Sequence, residues 1–172
     1  GVDARRSPEV LGFLALAGLP MVAATRTWHV LHDAMVSGLS FYSAVELELM
    51  SHRFSSIART MGELLQRTAI STNIKEREDF SCTLLDPEGR LVVNAPHIPV
   101  HLGAMPLSVQ AVLAAVPPER MRDGEVYVHN DPYAGGTHLP DITVVSPEVL
   151  PGEDRPRFLV ANRAHHADIG GI

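Results

Sequence analysis

The chain has 172 residues, enough for one domain with its own apolar core. Apolar residues make up 45% and charged residues 20%, which excludes an extensively disordered or fibrous polypeptide. The formal net charge of −6, from 14 basic and 20 acidic side chains, gives no electrostatic reason to seek nucleic acid or an anionic membrane surface.

Beginning at Gly1 and ending at Ile172 directly after a Gly-Gly pair, the chain reads as a piece of a longer polypeptide. Ser7-Pro8-Glu9 predicts the start of a short helix, with Ser as N-cap and Pro at the first helical position, and Gly18-Leu-Pro20 ends it. Arg5-Arg6 and the apolar run at 10–20 imitate a secretory signal, although Asp3 and Glu9 sit badly in one. That run is shorter than the roughly 20 residues needed to cross a bilayer. A second helix is predicted over residues 21–37, where His29, His32 and Asp33 fit a solvated face better than a metal site. Residues 1–42 are expected to be helical, with no assigned role.

The clearest helix is predicted over residues 44–66: Leu47, Met50, Phe54, Ile57, Met61 and Leu64 recur at spacings of three and four. A polar stretch follows, and its Lys75-Glu-Arg-Glu-Asp79 run reads as a solvated, self-compensating surface. Residues 80–85 and 90–94 flank Asp86-Pro-Glu-Gly89, a hairpin turn with Pro second and Gly fourth. Pairing Leu85 with Arg90 carries Glu78 or Asp79 towards residues 95–103, a proline-rich loop holding His97 and His101 and expected to be irregular. A helix is predicted over residues 105–116, with Pro106 near its start and Val109, Val112, Leu113 and Val116 as the buried stripe. Strands are predicted at 125–129, 142–149 and 157–161, the last two joined by Pro151-Gly-Glu-Asp154. The expected fold is α+β, with helices packed on mainly antiparallel hairpins, as part of a longer polypeptide. Cys82, the single cysteine, excludes an intrachain disulfide and fits a reducing, cytoplasmic compartment; in mid-strand it reads as a small buried hydrophobe.

Nine histidines are many for this length; six lie after residue 96, and His138, His165 and His166 among them fall in two segments rich in Asp and Gly: NDPYAGGTHLPD at 130–141 and NRAHHADIGG at 162–171. If Leu150 faces Arg155 across the last hairpin, paired numbers sum to about 305, and Asp141 lies opposite about residue 164. His138 and Asp141 from one strand and either His165 or His166 from the other then converge. Two imidazoles and a carboxylate suit Zn²⁺, Fe²⁺ or Mn²⁺. The same residues also fit an Asp-capped turn and a strand with one His facing each way. Asp131-Pro-Tyr-Ala-Gly-Gly136 reads as a tight turn whose glycines would also allow a ligand to approach the backbone. Neither GxGxxG nor GxxxxGK[ST] occurs, so no phosphate-binding loop is predicted.

Several blocks, in order, resemble the hydantoinase B/5-oxoprolinase family: Met61-Gly62 with Gln66-Arg-Thr-Ala69, Ile74-Lys-Glu-Arg77, Asp79-Phe-Ser-Cys82, Ala95-Pro-His-Ile-Pro-Val-His-Leu-Gly103, Asn130-Asp-Pro-Tyr133, Gly135-Gly-Thr-His-Leu-Pro-Asp-Ile142 and Ala161-Asn-Arg-Ala-His-His-Ala-Asp168. The resemblance covers residues 43–172, the amino-terminal portion of that family's catalytic subunit. It implies ATP-dependent hydrolysis of a small cyclic amide such as 5-oxoproline or a hydantoin. It also implies a hydantoinase A-type, actin-like ATPase as partner subunit or fused domain, hence a hetero-oligomer with ATP consumed at the partner. The related acetone and acetophenone carboxylases offer an alternative reaction, ketone carboxylation, and a non-catalytic segment that docks the ATPase is a third reading. In the acetone carboxylase relative a metal is held by a His-x-x-Asp pair and a later His. The resemblance thus implies His138, Asp141 and His165 or His166 as ligands to Mn, Zn or Fe, with His165 assigned to the metal and His166 to proton transfer. Asp131, His101 and Asp79 become candidates for substrate contact or support of the site, Asp131 as a catalytic group.

Overall fold

The computed structural model describes residues 44–95 and 98–170. The predicted helices within residues 1–42, the signal-like run, His29, His32, Asp33 and His97 lie outside the described residues. Helix α1 (Ala44–Thr68) carries Glu46 in its first turn and Arg67 in its last, which suits the helix dipole. Phe54, Ile57, Ala58 and Met61 are its buried stripe, at the spacing that places residues on one face. Val45, Leu47 and Leu49, nearer its start, are exposed. A single turn, α2 (Thr72–Lys75), buries Ile74 and leads into β1 (Phe80–Leu85), which is buried throughout. Strand β2 (Leu91–Asn94), helix α3 (Pro99–Ala115), a 3-10 turn (Pro118–Arg120), β3 (Tyr127–His129), β4 (Asp141–Glu148) and β5 (Phe158–His165) complete the order.

The five strands form one antiparallel sheet in the order β2-β1-β5-β4-β3. Because side chains alternate between faces, even-numbered residues of β1 and β5 face one way and odd-numbered residues the other. Phe80, Cys82, Leu84, Phe158, Val160 and Ala164 pack with the buried stripe of α1. Leu85, Val145, Leu159 and Ala161 pack with Met105, Val109 and Val112 of α3 and with Met121. The fold is therefore a sheet between helices, α+β and antiparallel as the sequence predicts. None of the helices among the described residues is long and apolar enough to cross a membrane. Cys82 is wholly buried, and burial pushes its thiol pKa up to about 12.

Three local expectations are corrected. The first hairpin pairs Leu85 with Leu91, not Arg90, after a register shift between Leu84 and Leu85. The Asp86 side chain accepts the Arg90 N–H (2.8 Å) and Nε (2.5 Å), while Gly89 closes the turn at φ +77° on the Asp86 carbonyl (2.9 Å). Second, the segment expected to be irregular turns helical at Pro99, six residues before the predicted start. Proline suits a first helical position, and Pro106, inside the helix, forfeits only its bond to the Leu102 carbonyl. Third, β5 runs to His165 rather than stopping at Ala161, because β1 and β4 flank it along its length.

Candidate metal centre

Strands β4 and β5 pair with numbers summing to 306, so Asp141 faces His165 and their side chains share the α3 side of the sheet. The loop before β4 is folded back on itself. Asn130 Nδ2 donates to the Leu139 carbonyl (3.0 Å), and the Asp141 N–H donates to the His138 carbonyl (3.0 Å). This turn hangs the His138 ring over the Asp141 carboxylate, with Nδ1 3.2 Å from Oδ2. His165 Nδ1 lies 3.0 Å from Asp141 Oδ1 and 2.9 Å from His138 Nε2. One donor atom from each of the three residues lies within 4.8 Å of the others.

Adjacent ligands of an ion at about 2.1 Å bond length stand roughly 3 Å apart, so these close approaches suit two His and one carboxylate around a divalent cation. Asp141 is 2% exposed, His165 26% and His138 53%, which leaves an open side towards solvent. Burial alone would raise the Asp141 pKa. Hydrogen bonds from Thr137 and His165 and the nearby His138 and His101 outweigh that effect and hold the carboxyl below its usual range.

A buried polar layer stands behind this cluster. Register places His129, Thr143, Arg163 and Ser81 in one row across β3, β4, β5 and β1, one step along the strands from Asp141 and His165. The wholly buried Arg163 donates from Nε to Thr143 Oγ1 (2.8 Å) and from Nη2 to Ser108 Oγ. Burial lowers its pKa, against the pull of the Asp141 carboxylate, yet a guanidinium remains charged. His101, brought inward by the early start of α3, has Nδ1 3.2 Å from Ser81 Oγ and Nε2 3.7 Å from Asp141 Oδ2 and 3.9 Å from Asp79 Oδ1. Burial, the largest influence, holds its imidazole pKa below the ordinary value.

His138, Asp141, His165, His101 and Asp79 all line one cavity of about 460 Å³, together with Arg77, Ile98 and Thr137. Two sequence candidates are not on its wall. Asp131 accepts the Tyr133 N–H on Oδ1 (2.8 Å), and its carbonyl accepts from Ala134 and Gly136, so it organises a turn. His166, one residue past the strand, donates its N–H to the Pro140 carbonyl (3.0 Å). Gly135 and Gly136 serve protein contacts: a Cβ would stand 2.6 Å from the Leu107 carbonyl oxygen at Gly135 and 2.5 Å from that of Asp131 at Gly136. Sequence reasoning missed Thr137, adjacent to His138, and Arg77, read as part of a solvated charge run.

The family model described as hydantoinase B/oxoprolinase matches residues 43–172. "5-oxoprolinase 1" of Arabidopsis thaliana is 56% identical over 128 residues, 74% of this chain and 10% of that protein. The chain thus spans about a tenth of the length of the curated 5-oxoprolinases it matches. Among solved structures, nucleotide-free acetone carboxylase superposes with a TM-score of 0.63 at 19% identity, covering 86% of this chain and 21% of its own. The ATP-dependent caprolactamase from Pseudomonas jessenii gives 0.57 at 22%, covering 77% and 22%. Both similarities concern the fold. With the family model matching three-quarters of its length, the chain belongs to the hydantoinase B/oxoprolinase family.

Proposed function

We propose that this chain is the amino-terminal part of a hydantoinase B-type unit that opens a small cyclic amide at its C–N bond with consumption of ATP. The 56% identity to a protein named 5-oxoprolinase supports hydrolysis over ketone carboxylation, because the acetone carboxylase likeness extends to the fold alone. In this reading the family domain begins at residue 43 and residues 1–42 are a separate extension. ATP is consumed at a hydantoinase A-type partner subunit or fused domain.

The observation that carries the chemical reading is the convergence of His138, Asp141 and His165 on the wall of an open cavity. These residues would hold a divalent ion, with Mn, Zn and Fe all suited to the donor set. Such an ion, when bound, supplies Lewis acidity towards a carbonyl oxygen or a water molecule. The chain's own groups do the rest. Thr137 fixes one carboxylate oxygen of Asp141, and Ser81 orients the His101 ring. His101 and Asp79, 3.9 Å apart on the cavity wall, would in this reading accept a proton from an attacking water and return it to the departing ring nitrogen. This assigns to His101 the proton transfer that the sequence reading gave to His166.

The test is ring opening of L-5-oxoproline, hydantoin and caprolactam, and carboxylation of acetone with bicarbonate, by the full-length protein with its ATPase partner. ATP-dependent lactam hydrolysis that is lost on chelation and in Asp141→Asn is expected. Hydrolysis undiminished by either treatment would overturn the reading.

A further inference from the structure

Beside the cluster, the same cavity wall carries a guanidinium with no assigned task. Arg77 is exposed, lines the cavity, and has no hydrogen-bond or ion-pair partner for its side chain among the described residues. Its sequence neighbour Glu78 is occupied elsewhere, accepting from Gln66 Nε2 at 3.1 Å. Of the cavity's ionisable groups, Asp141 is engaged by Thr137, His138 and His165, and Asp79 stands near His101. Among the described residues that line that wall, Arg77 is the one permanent cation.

The backbone holds it there at a cost. Glu78, at φ +55°, is the only non-glycine residue with positive φ among the described residues. A left-handed conformation is unfavourable for such a residue and persists where the surroundings over-determine it. Here Gln66 Nε2 also donates to the Lys75 carbonyl (3.1 Å), while the Asp79 N–H donates to the Asn73 carbonyl (3.0 Å). The strained residue turns the chain sharply between α2 and β1, so that residues 77 and 79, on either side of it, both reach the cavity.

We propose that Arg77 is a specificity-determining residue that anchors a carboxylate on the ring of the substrate, selecting lactam acids over neutral lactams. The inference rests on the hydrolase reading above and adds to it the charge of the substrate. A planar guanidinium binds a carboxylate through two parallel N–H···O bonds, whereas an ammonium offers only a point charge. With the carboxylate held at Arg77, the ring carbonyl is free to lie towards the His138, Asp141 and His165 end of the cavity.

The experiment compares L-5-oxoproline with 2-pyrrolidinone, the same ring without its carboxylate, in the full-length enzyme and its Arg77→Gln and Arg77→Lys variants. The wild type is expected to prefer the acid. Arg77→Gln should cut the acid-to-neutral ratio of kcat/KM by roughly 10- to 100-fold, mainly through KM, as expected for losing a charge-assisted hydrogen bond. Arg77→Lys should restore part of it. A ratio within about two-fold of wild type in Arg77→Gln, or a wild type without acid preference, would overturn the inference while leaving the hydrolase reading intact. If the wild type opens neither ring, calorimetric titration with L-5-oxoproline decides. Binding that weakens in Arg77→Gln retains the anchor and discards the hydrolase reading; absence of binding discards the anchor as well.

Discussion

The two faces of the central sheet share the same strands but not the same composition. Under α1, Phe80, Cys82, Leu84, Phe158 and Val160 meet Phe54, Ile57, Ala58 and Met61 in an apolar layer in which the Cys82 thiol is held protonated by burial. Under α3, the face is graded along the strands. Leu159, Ala161, Arg163 and His165 succeed one another on β5, and Val145, Thr143 and Asp141 answer them on β4. The apolar end packs against Met105, Val109 and Met121; the polar end opens into the cavity. Period-two alternation therefore lets one strand contribute to the apolar core on one side and to the candidate metal centre on the other, and the α1 layer can hold the sheet without touching that cluster.

If this division is right, substitutions on the two faces should have separable effects. Phe158→Ala, on the α1 face, removes a wholly buried ring that packs 6.2 Å from Phe54 between centroids. It is expected to cost about 3–5 kcal/mol, read as accelerated hydrogen exchange of β1 and β5 amides in the full-length protein. Metal affinity of the folded protein should change little, and a loss as large as that for Asp141→Asn would break the division. Thr137→Val, on the opposite face, deletes the hydroxyl bonded to Asp141. It should weaken metal binding roughly ten-fold, as is typical for a group supporting a ligand, with β5 exchange close to wild type. Slowed or unaltered metal release in this variant would show that the hydroxyl does not position the carboxylate.

A smaller effect sharpens the contrast through pH. Burial keeps the His101 imidazole below its ordinary value of 6.5, so as pH falls past that value the unfolded chain takes up a proton that the folded chain resists. Stability from this residue is full above about 6.5 and declines below it. Asp141, whose carboxyl is held below its ordinary 3.8, adds a loss in the same direction at still lower pH. Protection of α3 and β1 amides in chelator-treated protein, taken relative to the intrinsic exchange rate at each pH, should fall between pH 7 and 5, and His101→Gln should flatten that dependence. An equally steep profile in the variant would assign the titration elsewhere.

Much of this was legible in the chain because the informative signals are local. The spacing of Phe54, Ile57 and Met61 predicts α1, and Pro151-Gly152 predicts the turn that folds β5 back on β4. The hairpin sum of 305 falls one short of the observed 306, and that single residue is what puts His165 rather than Ala164 opposite Asp141, since a slip by one reverses the facing of every side chain. What escaped depends on distant partners. Nothing near Pro99 announces that the chain will coil there against Ser81 and Arg163, carrying His101 inward. The pairing of β1 with β5 joins residues some 80 positions apart, and only that pairing sets Asp79 beside His165, whose N–H its carbonyl accepts at 2.9 Å. His166, a candidate from the approximate hairpin pairing and the family pattern, and Asp131, a candidate from the family pattern, lie in segments whose backbone bonding employs them.

The central claim, that β4 and β5 bring three ligands to one ion, is tested most directly by anomalous diffraction from crystals of the full-length protein loaded with Mn²⁺. The account predicts a peak bounded by His138, Asp141 and His165, absent in Asp141→Asn and in His165→Ala and retained in His166→Ala. A loaded protein with no peak at those three side chains, or one whose peak survives Asp141→Asn and vanishes with His166→Ala, would contradict it.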